Sequence, residues 1–186
     1  MAFNKRAAAA RLALRAFTPA NRRFLDYWLS CHTADGLLCE SNFAPADVAE
    51  ITRATVSADM KLGVSAVVTQ VGASIAEILS YDLLGADLIE MLPGHLRPLR
   101  LERMAEIAKG AIAHNLQRVI THLREFEWEE VIVPFGPRQA DGTYRIVTHI
   151  DVEAFAALHR AIEERSIRPA ETFRLIPLEA YELKAA

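Results

Sequence analysis

Two cysteines, six histidines and 24 acidic residues are the groups in this 186-residue chain that can do chemistry. Their spacing decides which chemistry. Cys31, His32 and Cys39 offer three soft ligands close in sequence, but a zinc site needs a fourth at a defined separation, so the pattern fits two structural thiols better than a metal centre. Glu125, Glu127 and Glu129 alternate with Phe126 and Trp128. On a strand that alternation describes a solvated face, not a facing acid and base. No glycine-rich phosphate loop, nucleophile elbow or His-Glu-x-x-His pair occurs, so no enzyme is expected. His114 ends an apolar stripe of Met104, Ile107, Ala108, Ala111 and Ile112. At the C-terminus of a helix its cationic form would meet the negative end of the dipole. His95 falls in a loop beside Pro93, and His122 in a strand-like run.

The elements that must position these groups follow from periodicity. Thr18 caps a helix from Pro19 to Cys31, with Phe24, Tyr27, Trp28 and Cys31 at helical spacing. Ala44-Pro45 opens a short helix over Ala46–Ile51. Thr55–Met60 and Val64–Val71, separated by Lys61-Leu62-Gly63, read as a β-hairpin. Short helical pieces at Ser74–Tyr81 and Asp87–Met91 lead to a long helix over Leu99–His114, ended by Asn115. Three strands follow at Gln117–Arg124, Glu127–Pro134 and Thr143–Asp151, with a bulge expected where the alternation breaks at Glu129-Glu130. A helix over Val152–Arg165 and a short strand-like run, Phe173–Pro177, come last. This order predicts an α+β domain: a five-stranded antiparallel sheet with helices on one face, plus N- and C-terminal flanking helices. Residues 1–23 form a leader, 24–151 the domain and 152–186 a C-terminal helix and tail.

Composition narrows the function classes. The net charge is −3, which gives no global basis for nucleic-acid binding. Lys5, Arg6, Arg11, Arg15, Arg22 and Arg23 all precede the first acid, Asp26. The leader therefore reads as a basic arm suited to an anionic membrane surface through Lys5, Arg6, Arg11 and Arg15, as a helix docking on a partner, or as a frayed or self-packed leader helix. Arg11 and Arg15 interrupt what would be the apolar core of a signal peptide. The longest uncharged run, Leu62–Ala76, is 15 residues and carries four polar side chains, short of the roughly 20 apolar residues of a span. Low cysteine usage fits a cytoplasmic location.

Several of these segments carry a family resemblance. Tyr27-Trp28, Ser41-Asn42-Phe43-Ala44-Pro45-Ala46-Asp47-Val48, Val71-Gly72-Ala73-Ser74-Ile75 and Tyr81-Asp82-Leu83-Leu84-Gly85-Ala86-Asp87-Leu88 stand in the order and spacing of a PAS domain. More narrowly, the chain resembles the bacterial family of short stand-alone PAS proteins known as the fifth PAS family. The likeness runs from about Phe24 to Asp151. Ala73 and Leu84 replace threonines common in that family, Gln70 an arginine and Ser80 a glycine.

The resemblance implies a sensory or regulatory module in signal transduction that works through protein partners, with a homodimer expected. It also implies a ligand pocket between the long helix and the sheet. Val68, Leu88, Met91, Met104, Ile107, Ala111, Ile132 and Ile146 would line it, for a small apolar metabolite or for haem with His114 as axial ligand. Side chains of this type and spacing also fill such a space by themselves, which leaves no cofactor. A flavin adduct would require a cysteine between strands two and three, and both cysteines precede the sheet.

Overall fold

The computed structural model describes residues 17–30, 49–79, 81–109, 111–120, 125–135, 141–162 and 168–176. Lys5, Arg6, Arg11, Arg15, Cys31, His32, Cys39, the Ser41–Val48 motif and His122 lie outside them. Helix α1 spans Pro19–Ser30 and α2 Ala49–Arg53; β1 is Thr55–Lys61 and β2 Ser65–Val71; α3 is Ala73–Ile78. Then come α4 (Arg97–Ile107), β3 (Ile112–Ile120), β4 (Glu125–Phe135), β5 (Thr143–Ile150), α5 (Val152–Ile162) and β6 (Arg168–Ile176). The six strands pair antiparallel in one sheet, ordered β2-β1-β5-β4-β3-β6. The fold is α+β as expected, and the tail supplies a sixth strand where five were expected.

Helices cover both faces of this sheet, one by the crossing helix and the other by the N-terminal flanking helix. On one face α1 buries Phe24, Leu25 and Trp28 against Ile112, Val131, Val133, Phe135 and Val147. On the other, α4 sets Met104 and Ile107 against Ala58, Met60, Ala66, Ile132 and Ile146. The alternation Ile146/Val147 and Ile132/Val133 thus feeds two cores at once, and burying both faces explains why Thr55 through Ala58 are buried without a gap. Trp28 also donates its indole N–H to the Pro134 carbonyl at 3.0 Å, satisfying its one polar atom in the core. Helix α1 begins at Pro19, where the sequence places the helix start after Thr18.

The β1–β2 hairpin closes through Val64 N–H to the Lys61 carbonyl, with Gly63 at φ +72°. The β1–β2 register shifts between Ser57 and Ala58, where β2 carries Thr69 as an extra residue; β4 pairs without interruption through Glu129-Glu130, so the bulge expected there is absent. At the exit of β2, Gly72 approaches the α2 terminus. A Cβ at this position would sit 2.4 Å from the carbonyl oxygens of both Thr52 and Arg53. Gly72→Ala is expected to destabilise the fold by about 2 kcal/mol in urea unfolding, because backbone and not a flexible side chain must give way.

The β2–β3 connection does two things. Residues 85–88 run along the outer edge of β2, where Val68 N–H donates to Ala86 O, Gly85 N–H to Val68 O and Leu88 N–H to Ala66 O, covering an otherwise open edge. Asp87 Oδ1 fixes that turn by accepting from the N–H groups of Ala66 and Ile89. The expected helix over Asp87–Met91 is therefore a bridge and turns. The connection then forms α4, which ends at Ile107 rather than His114. Lys109 N–H and Ala111 N–H both turn back to the Glu106 carbonyl, and the chain enters β3 at Ile112. Apolar residues at 107, 111 and 112 satisfy a helical stripe, while Ile112/Ala113 and His114/Asn115 equally satisfy a two-sided strand.

Candidate functional site

His114 is the first site residue to be relocated. It lies on β3, under α1, on the face opposite the expected pocket. Its Nε2 donates to Glu129 Oε1 at 2.6 Å, and both side chains are about 5% exposed. Phe17 sits edge-on to the ring at 4.5 Å. His114 does not fit haem ligation: one nitrogen is engaged by a carboxylate, and the other is buried without a hydrogen-bond partner beneath α1. The remaining expected pocket residues divide. Met104, Ile107, Ile132 and Ile146 share one packed cluster, bordered by Leu88. Val68 belongs to the adjoining cluster with Ile75 and Leu83. Ala111 is half-buried at the entrance to β3, and Met91 is 49% exposed, away from both cores.

A buried polar network, which sequence reading missed, joins α1 to the sheet. Glu129 Oε2 accepts the Thr18 backbone N–H at 2.7 Å and Asn21 Nδ2 at 2.7 Å, and its Oε1 accepts from His114. Asn21 Oδ1 in turn stands 2.6 Å from His149 Nδ1. Burial pushes the Glu129 carboxyl up, but the hydrogen bonds from His114, Asn21 and Thr18 outweigh it and hold the group below the ordinary carboxylate value. His149 is driven the other way for a base. Burial first, then the Arg23 charge, lower its pKa to about 4 against the opposing pull of Glu129. The ring lies stacked on Phe24 at 4.8 Å and 13°.

Glu129 was expected on a solvated face with Glu127. Glu127 is exposed and Glu129 is 3% exposed on that same side, because the first turn of α1 closes over one and not the other. The neighbouring Glu130 faces the opposite core and accepts from Asn115 Nδ2 at 2.6 Å, leaving Asn115 Oδ1 buried without a partner. A buried acceptor left in that state costs about 1–3 kcal/mol.

Beside His149 a cleft of about 640 Å³ opens between the first turn of α1, α2, Ser74 of α3 and the start of α5. Arg23 and Arg53 stand on its walls with Glu50, Asp151 and Glu153. Among the described residues no three His, Cys, Asp or Glu side chains are grouped to hold a metal ion. None of the described helices is long and apolar enough to cross a membrane. No protein-family model matches the chain, and no curated protein matches it in sequence.

Proposed function

We propose that this chain is a PAS-like sensory or regulatory module without catalytic activity, acting through protein contacts that include a second copy of itself. The strand order β2-β1-β5-β4-β3, with a helical crossing from β2 to β3 over one face, is the observation that carries the reading. An antiparallel sheet crossed by helices in this way is compatible with the PAS-like fold that the resemblance implies. A second support is the way the flanking helix is held. Apolar packing alone would seat α1, yet Thr18 and Asn21 add directional bonds to Glu129 and His149 that fix one docked position.

In this reading α1 is the element through which an internal state reaches a partner. Sedimentation velocity over a wide concentration range is expected to show reversible dimerisation, altered in Asn21→Ala, which loosens α1. A mass that stays monomeric at every concentration would overturn the self-association. The purified protein is expected to lack a Soret band, given how His114 is engaged. A Soret band that vanishes in His114→Ala would replace this reading with a haem sensor.

A further inference from the structure

The hydrogen-bond chain through Asn21 determines what His149 offers to the cleft. Asn21 gives its Nδ2 to Glu129, so the atom facing His149 is Oδ1, which only accepts. His149 Nδ1 must then carry the proton. With the ring neutral at ordinary pH, Nε2 is a bare acceptor. Among the described residues the side-chain hydrogen bond of His149 is the one from Nδ1 to Asn21 Oδ1, and His149, 3% exposed overall, contributes to the cleft wall. An imidazole held by an acceptor on one nitrogen and stacked on Phe24 presents its second nitrogen in a fixed direction.

The cleft also holds cations that are loosely engaged. Arg23 pairs with Glu50 at 3.5 Å and Arg53 with Glu77 at 3.7 Å, all four side chains more than half exposed. Exposed pairs of this kind are worth little, so a guanidinium turns readily to a ligand carboxylate that it binds in two-pronged fashion. Asp151 is committed to capping α5 through Ala154 N–H. The remaining acids on the walls, Glu50 and Glu153, disfavour a dianion and leave room for a single negative charge.

We propose that this cleft binds a small hydroxy-monocarboxylic acid, its O–H donated to His149 Nε2 and its carboxylate taken by Arg23 with Arg53 across the cleft. Such a ligand bridges β5 to α1 and tightens the docked helix, so the inference deepens the sensory reading and rests on it for its biological use.

Three probes separate the contributions: 4-hydroxybenzoate, benzoate without the O–H, and 4-hydroxybenzamide without the charge. In calorimetric titration of the full chain near neutral pH, 4-hydroxybenzoate is expected to bind about tenfold more tightly than either analogue. Arg23→Gln, at an exposed side chain, is expected to weaken it by about tenfold with thermal unfolding otherwise unchanged. The 15N resonance of His149 Nε2 is expected to move upfield with 4-hydroxybenzoate and to stay in place with benzoate. Equal binding of all three probes, no binding of any, or binding that leaves the Nε2 resonance unmoved would overturn the proposal. Those outcomes leave the dimerisation measurement intact, so failure of the ligand site and failure of the module are distinguishable.

Discussion

Glu129→Ala is expected to lower the unfolding free energy by about 4 kcal/mol, the larger share arising from donors left without an acceptor and not from lost packing. The Thr18 N–H, Asn21 Nδ2 and His114 Nε2 all converge on this one carboxylate, which is 3% exposed. Removing it strands three N–H groups beneath α1, and a buried imidazole already lacking a partner on Nδ1 loses its other bond as well. Glu129→Gln is the informative companion. It keeps one accepting oxygen but replaces the other with an amide that repels the donors facing it, so about half of the loss is expected. Urea unfolding followed by circular dichroism checks both. A cost below about 1 kcal/mol for the alanine variant would mean that water takes the place of the carboxylate and that α1 is seated by its apolar residues alone.

This carboxylate also marks where the sequence stops being legible. The α1 helix, the β1–β2 hairpin and β5 are readable because each carries one period only: Phe24 and Trp28 repeat at helical spacing, and Ile146, Val147 and their neighbours alternate. Residues 107–115 carry both periods, and the decision between them is made by tertiary pairing. His114 lies opposite Val131 and Asn115 opposite Glu130, contacts remote in sequence that no local window contains. Glu129 fails for a related reason. Alternation places it correctly on the face of Glu127, but whether that face is wet depends on where an N-terminal helix more than a hundred residues away lands. The one local hint was the adjacent pair Glu129-Glu130, which breaks the Glu125/Glu127 alternation just before the apolar run Val131-Ile132-Val133. Read as two buried carboxylates on opposite faces, that pair calls for a buried donor on each side of the sheet, without naming which residues supply them.

His149 adds a dependence on acidity with a definite sign. Its ordinary value is 6.5, and in the folded protein it is lowered to about 4. Above the ordinary value both states leave the ring neutral, and it contributes no slope. Between that value and about 4 the unfolded chain binds a proton that the folded chain refuses, so stability falls as pH falls, by on the order of 3 kcal/mol over the whole interval. The groups facing the ring fix the direction. Phe24 and Asn21 bury it from α1, Arg23 repels its charge, and Asp151, Glu153 and Glu50 stand at the rim of the cleft. Only Glu129 of β4 opposes the shift by its charge. Glu129 itself acts in the same sense at lower pH: its carboxyl is lowered in the fold, so its contribution is complete above its ordinary value of 4.5 and is lost as pH falls through the folded one. The protein is therefore expected to weaken continuously from near neutrality into acid. Between pH near 6.5 and pH near 5 the wild type should lose about 2 kcal/mol, most of which disappears in His149→Gln, whose amide can still donate to Asn21 Oδ1 without titrating. An NMR titration that places the His149 ring near its ordinary value, or equal acid losses in wild type and variant, would assign the slope to other groups and release α1 from this control.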